Sequence, residues 1–127
     1  MTLLPRTEEI ATEIVDAAFS VHSALGPGLL ESVYEECLAF ELSERDLSFE
    51  RQLVVPINYK NHQIDTGLRV DFLVEDEVVL EIKAVEALVS VQTSQLLTYM
   101  KLANCRLGFL MNFNVALIKN GIHRYVL

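Results

Sequence analysis

Two amphipathic helices are predicted in the first third of the chain, where apolar residues recur at helical spacing. The stripe of the first helix consists of Ile10, Ile14, Ala17, Val21 and Leu25. We expect this helix to begin near Thr7, a residue type that caps helix N-termini, and to end at Gly26-Pro27-Gly28. A second helix is expected from about Leu30 to Arg45.

The pattern then changes to alternation of apolar and polar residues, which is typical of strands. One strand is expected over Phe49 to Tyr59, where Pro56 indicates an edge position or a bulge. In the next strand, one face carries Leu68, Val70, Phe72 and Val74, and the other carries Arg69, Asp71 and Leu73. A third strand over Val78 to Val85 is apolar at nearly every position before its charges, as expected for a central strand.

The last part of the chain predicts one more helix and three strands. The helix is expected over Ser90 to Asn104 and is followed by a strand over Leu107 to Phe113. Asn120-Gly121, between residues 115–119 and 122–126, is a two-residue hairpin signal. The resulting order, ααβββαβββ, predicts a mixed sheet flanked by helices in the α/β or α+β class.

Length and composition favour one globular domain that spans residues 1–127. A hydrophobic content of 51% argues against disorder. No apolar stretch reaches membrane-spanning length and no signal peptide is recognisable, so a cytoplasmic protein without a membrane partner is expected. The net charge of −8, with its ten cations scattered, disfavours tight non-specific binding of nucleic acid.

The chain's chemistry concentrates in the segment from Arg69 to Lys83. Glu81 and Lys83 are two residues apart and therefore project to the same side of a strand. If the hairpin register also places Asp71 there, two carboxylates and an ammonium group converge, and a divalent cation offsets the repulsion between the carboxylates. This is the equipment of a metal-dependent phosphodiesterase. The alternative is an ordinary strand with a solvated acidic turn over residues 75–77.

A second polar pair lies on the third predicted helix. Gln95 and Tyr99 are four residues apart and share one helical face. An amide and a phenol at that position are able to hydrogen-bond a water molecule or a phosphate oxygen near the acidic residues. The alternative is a packed amphipathic helix, with Tyr99 in the core and Gln95 exposed to solvent.

Taken together, these motifs resemble the PD-(D/E)xK nuclease superfamily, and specifically its Q-x-x-x-Y branch. The chain is also similar to the small family named for its G-x-x-E-x-x-Y signature, which here reads Gly28-Leu-Leu-Glu31-Ser-Val-Tyr34. Three separated motifs occur in the right order, and the resemblance covers almost the whole chain. It implies a restriction-endonuclease-like fold. Val70 stands where the superfamily name calls for proline, a position that is loosely held.

The resemblance implies a metal centre that holds Mg²⁺ or Mn²⁺. Asp71, Glu81 and the backbone carbonyl of Ile82 would be its ligands, and Glu31 would contact the metal directly or through water. Lys83 would orient or activate the attacking water. Mg²⁺ suits this set because it prefers few carboxylates and several waters.

The resemblance also implies residues that contact the substrate. Gln95 and Tyr99 would tune Lys83 and bind the nucleic acid backbone. Tyr34, one helical turn from Glu31, would be either a packing residue or a positioning hydroxyl.

Two functions of different classes follow. The first is a nuclease that cleaves phosphodiester bonds in DNA or RNA with a metal-activated water. It is favoured by the complete set Glu31, Asp71, Glu81, Lys83 and Gln95. The second is a non-catalytic module with the same fold that acts as a homodimer or binds a protein or nucleic acid, and the acidic net charge favours it.

Overall fold

In the computed structural model, residues 3–65 and 68–127 are described, and their secondary structure is three α-helices, seven strands and a 3₁₀-helix. The helices are α1 (Pro5–Leu25), α2 (Glu31–Glu44), α3 (Ser90–Leu102) and the 3₁₀-helix Ile118–Asn120. The strands are β1 (Phe49–Val54), β2 (Ile57–Tyr59), β3 (His62–Ile64), β4 (Arg69–Val74), β5 (Val78–Lys83), β6 (Leu107–Asn112) and β7 (Ile122–Val126).

Five of the strands form a mixed sheet in the order β1-β4-β5-β6-β7. Strands β5 and β6 are parallel because α3 carries the chain back across the sheet between them, and the other neighbours are antiparallel. Strands β2 and β3 form a separate two-stranded sheet. The predicted class, a restriction-endonuclease-like mixed sheet flanked by helices, is confirmed.

Strand β5 lies at the centre of this sheet and is buried from Val78 to Ile82. A tight turn at Glu75 and Asp76, both with positive φ, connects it to β4. Such left-handed pairs match the twist of two antiparallel strands. The continuous apolar run that predicted a central strand is therefore explained by helices on both of its faces.

The two faces of the sheet support separate cores. Helices α1 and α2 pack on one face around Tyr34, Phe72 and Phe113. Helix α3 covers the other face through Leu96, Met100 and neighbouring residues. No helix among the described residues is long and apolar enough to cross a membrane.

The predicted strand over residues 115–119 is wrong. Ile118–Asn120 is a turn of 3₁₀-helix, and the carbonyl of Val115 lies 2.7 Å from Nε2 of His22 on α1. Because the Val115 carbonyl is already hydrogen-bonded to the His22 side chain, this segment lies against α1 and does not pair with β7. Strand β7 pairs with β6 instead.

Two other predicted boundaries differ. The expected strand over residues 49–59 divides at Val55-Pro56 into β1 and β2, which belong to different sheets. Proline lacks the amide hydrogen that would continue the ladder.

Thr7 does not cap α1, because the helix begins at Pro5 and the Thr7 hydroxyl donates to the Glu77 carboxylate at 2.6 Å. The observed order is ααβββββαββ rather than ααβββαβββ.

Candidate functional site

The pairing of β4 with β5 ends close to the acidic residues. Its last rung joins Phe72 to Leu80, so Asp71 and Glu81 would occupy the next one. Residues at opposite positions of an antiparallel pair project to the same face of the sheet. The register therefore brings the two carboxylates together where the ladder opens.

Each carboxylate replaces a missing backbone acceptor on the opposite strand. The amide of Asp71 donates to Oε2 of Glu81 at 2.8 Å, and the amide of Ile82 donates to Oδ2 of Asp71 at 2.8 Å. These reciprocal bonds fix both side chains between the strands. Glu81 is only 5% exposed, which is unusual for an acidic residue, and Asp71 is half-buried.

The buried position changes the acid strength of both groups. Loss of hydration, and then the charge of Asp71, raise the pKa of Glu81 from 4.5 to about 8. Loss of hydration also raises the pKa of Asp71, although the hydrogen bond from Ile82 opposes the rise. A carboxylate pair of this kind is stable with a proton or a cation between its members and unfavourable with neither.

Lys83 and Glu31 lie at the border of this pair. Lys83 ends β5, two residues after Glu81, and no ion pair joins it to a carboxylate of the described residues. Glu31 is the first residue of α2 and is exposed to solvent. Loss of hydration raises the pKa of Glu31, while the charge of Lys83 lowers it and that of Asp71 raises it. The three charges therefore interact without direct contact.

The donor set fits a small hard dication in part. In residues 3–65 and 68–127 no three His, Cys, Asp or Glu side chains lie close enough together to hold a metal ion, so Glu31 does not complete a cage with Asp71 and Glu81. The backbone carbonyl of Ile82 points to the same flank of β5 as its amide, which is the side of Asp71. Two carboxylates and one carbonyl match the preference of Mg²⁺ for few protein ligands and several waters.

Helix α3 brings one of its two predicted residues to the pair. Tyr99 is buried, and its pKa is raised by loss of hydration and by the charges of Glu81 and Asp71. Gln95, one helical turn before Tyr99, is exposed to solvent. The phenol therefore lies within electrostatic reach of the carboxylates, whereas the Gln95 amide faces solvent.

Tyr34 has a structural position. Its side chain is fully buried and stacks on Phe113 with ring centroids 4.8 Å apart. Its hydroxyl donates to the carbonyl of Gly26 at 2.6 Å and accepts from the amide of Leu29 at 3.1 Å. The prediction that Tyr34 contacts substrate is therefore corrected to its packing alternative. The residue fixes the loop that precedes Glu31.

Sequence reasoning missed a residue beside Asp71. Gln52 lies opposite Asp71 in the β1–β4 register, and its φ of 52° is rare for a residue with a side chain. Its amide donates to Oε1 of Glu35 at 2.8 Å and, through a longer contact, to Oδ1 of Asp71 at 3.3 Å. Arg51 in turn binds Glu35 at 2.8 Å. The Gln52 bridge therefore connects α2 to the carboxylate pair.

The signal for this bridge was weak in the sequence. A glutamine within an alternating strand is an ordinary exposed residue. Only the unusual backbone of Gln52 turns its amide toward Asp71, and backbone strain of this kind often accompanies functional sites.

Comparison with models of known protein families gives a match over most of the chain. The family model of the PD-(D/E)XK nuclease superfamily matches residues 8–125. The chain belongs to the PD-(D/E)XK nuclease superfamily. No curated protein and no solved structure matches the chain. The matched residues include α2, β4, β5 and α3, the elements that surround the carboxylate pair.

Membership in this superfamily agrees with the five-stranded mixed sheet and its flanking helices. Metal binding is common in the superfamily, and Asp71, Glu81 and Lys83 occupy the order that its name describes. Fold membership alone does not establish turnover, because one fold hosts different functions and the chemistry depends on the residues of the site.

Proposed function

We propose that this protein is a Mg²⁺- or Mn²⁺-dependent nuclease that hydrolyses phosphodiester bonds in DNA or RNA. The observation that carries the proposal is the pair formed by half-buried Asp71 and buried Glu81, each bonded at 2.8 Å to the backbone of the other's strand. A purely structural role does not account for a buried and a half-buried acid whose charges oppose each other.

In this proposal the protein supplies a fixed set of oxygen ligands. Asp71, Glu81 and the carbonyl of Ile82 hold the cation, and Glu31 contacts it through water. When bound, the cation lowers the pKa of a water molecule and stabilises negative charge on the phosphate. The bridge from Gln52 restrains Asp71 during binding.

Lys83 has the second role. Its ammonium group has no ion-pair partner in the described part of the chain, so it remains available to orient a water or to balance phosphate charge. Hydrolysis joins the hydroxyl of that water to phosphorus, breaks one ester P–O bond and leaves a hydrogen on the departing oxygen. Tyr99 borders the same pair, and Gln95, one helical turn away and exposed to solvent, contacts the substrate.

The finer assignment to the G-x-x-E-x-x-Y group belongs to the same proposal. It is supported by Gly28, Glu31 and Tyr34. The backbone of Gly28 has φ of 99°, which strongly favours glycine, and its amide donates to Asn114 at 3.1 Å. The signature therefore builds the loop that delivers Glu31. We also propose a cytoplasmic location.

The test combines metal binding with cleavage. Mn²⁺ binding is measured by calorimetry, and cleavage is measured on single- and double-stranded DNA and RNA. The variants are Asp71→Asn, Lys83→Ala and, as a matched control on an exposed lysine of α3, Lys101→Ala. We expect Asp71→Asn to lose metal binding, Lys83→Ala to bind metal without cleaving, and the control to behave like the wild type.

The competing function is a non-catalytic module of the same fold. It is favoured by the net charge of −8, which opposes the approach of a polyanion. Mn²⁺ binding by a wild-type protein that cleaves none of the substrates would support this module. Light scattering of the purified protein would then show whether its partner is a second copy of the chain.

A further inference from the structure

The β2–β3 hairpin lies in the chain between β1 and β4, the strand that carries Asp71. Val54 and Arg69 form the last rung of the β1–β4 pairing, and the hairpin lies between them in the chain. Asp71 is only two residues from Arg69, or about 7 Å along an extended strand. Arg69, which follows the hairpin in the chain, is therefore close to the site.

The hairpin has a defined shape. Tyr59 pairs with His62 across a two-residue turn, and the turn residues Lys60 and Asn61 both have positive φ. This geometry is the tight turn that best matches the twist of two strands. A two-stranded sheet alone is marginal in water, so the turn supplies much of its local order.

The hairpin places its aromatic and apolar side chains on one face. Ile57 pairs with Ile64, and Tyr59 pairs with His62, so these four side chains project to the same side. Tyr59 is 59% exposed, in contrast to Tyr34 and Tyr99, which are buried. An exposed aromatic ring on an ordered hairpin is a surface on which a flat ligand is able to stack.

Charge distinguishes this region from the rest of the chain. Residues 52–70 contain Lys60 and Arg69 but only one carboxylate, Asp65, whereas the whole chain has 18 acidic and 10 basic residues. Neither cation forms an ion pair with the residues that the structure describes. The ammonium of Lys60 lies 5.4 Å from the centroid of the Tyr59 ring, so a cation and an aromatic surface are presented together.

We propose that the β2–β3 hairpin binds single-stranded nucleic acid. A base stacks on the face of Tyr59 that Lys60 does not cover, while Lys60 and Arg69 bind the adjacent phosphates and lead the strand toward Asp71. Stacking requires an unpaired base, whereas the cations bind any phosphate, so the hairpin gives a preference for single strands. This inference deepens the proposed nuclease function and rests on it for the identity of the ligand.

Binding is tested separately from cleavage. The Lys83→Ala protein, without metal, is titrated into a fluorescently labelled thymidine oligonucleotide, into its RNA counterpart and into a duplex of equal length. The Tyr59→Ala change is added to this background, with Tyr59→Phe as the matched control that keeps the ring. We expect Tyr59→Ala to weaken single-strand binding roughly tenfold, Tyr59→Phe to leave it unchanged, and duplex binding to change little.

Several outcomes would overturn the inference. One is that the Lys83→Ala protein does not bind the single strand. Another is that adding Tyr59→Ala leaves single-strand affinity unchanged. A third is that Tyr59→Ala weakens duplex binding as much as it weakens single-strand binding. A dimer that dissociates on Tyr59→Ala would instead assign the hairpin to a contact between copies. The two proposals fail differently, because Tyr59-dependent binding without any cleavage by the wild type removes only the nuclease activity. If the wild type cleaves and Tyr59→Ala leaves its KM unchanged, the hairpin proposal fails while the nuclease proposal stands.

Discussion

Without a bound cation, the folded protein keeps a proton on Glu81 at neutral pH. Burial and the charge of Asp71 raise the pKa of this group to about 8 from 4.5, its ordinary value and the one expected in the unfolded chain. The neutral form is thus favoured by folding. Protonated Glu81 contributes fully to the free energy of unfolding below pH 4.5. This contribution is lost as the pH rises toward 8, and it stays lost above that value.

The first prediction concerns Glu81→Gln. Glutamine keeps an oxygen that accepts from the Asp71 amide but carries no charge, so the penalty of a few kcal/mol at high pH disappears. Without metal, we expect the variant to melt on the order of 5–10 °C above the wild type at pH 9 and within about 2 °C of it at pH 4.5. Thermal denaturation followed by circular dichroism at both pH values measures this. The control is Glu86→Gln, on an exposed residue, which should show no such pH-dependent difference.

The second prediction concerns the strained Gln52. Replacement by alanine or glycine removes the amide that contacts Asp71 at 3.3 Å, so both variants should bind Mn²⁺ several-fold more weakly. Glycine relieves the positive φ of 52° and alanine does not, so Gln52→Gly should be about 1 kcal/mol more stable than Gln52→Ala. Calorimetry and urea denaturation separate the two effects. Wild-type metal affinity in the glycine variant would show that the bridge does not restrain Asp71.

The connection between β6 and β7 depends on a close backbone approach. The amide of Asn112 donates to the carbonyl of Gly121 at 2.9 Å. A Cβ atom at Gly121 would lie 2.0 Å from the backbone oxygen of Asn112. A backbone oxygen held by the sheet cannot move aside as the end of a flexible side chain does.

The third prediction follows from this approach. Gly121→Ala should destabilise the protein by roughly 3 kcal/mol, because β7 must shift away from β6. Gly108→Ala on β6 serves as a comparison, since its added Cβ meets the flexible side chain of Met100. We expect a smaller loss there. If urea denaturation gave equal losses in the free energy of unfolding for the two variants, the contact with the Asn112 backbone oxygen would not be the cause of the Gly121→Ala effect.

The proposed metal binding would link the site to the stability of the entire fold. A ligand that binds only the folded protein stabilises it by about 2.7 kcal/mol at one hundred times its dissociation constant. In the proposed site the cation would first displace the proton of Glu81, whose pKa is about 8. Metal affinity should therefore rise with pH and level off above pH 8.

The fourth prediction is a melting shift that depends on pH. Excess Mn²⁺ should raise the melting temperature of the wild type by several degrees at pH 8.5 and by much less at pH 5.5. Scanning calorimetry with and without the cation measures the shift. Asp71→Asn, which lacks one ligand, should show almost none. A shift of equal size at both pH values would mean that the cation binds elsewhere.

Local patterns were enough to predict most of the elements. Alternation with period two identified the faces of β4, and the continuous apolar run identified β5 as central. The spacing of Glu81 and Lys83 placed them on one face of a strand without any knowledge of the fold. Local patterns failed at residues 115–119, where a contact with His22, 93 positions away, decided the conformation.

The sequence by itself determined the mixed α/β architecture and the residue types of the site, because these depend on periodicity and on motifs within short segments. Only the tertiary structure decided that Asp71 lies across from Glu81, that Gln52 reaches Asp71, and that Tyr34 is buried. Strand register, backbone strain and burial depend on contacts between residues distant in the chain. No pattern of neighbouring side chains encodes them.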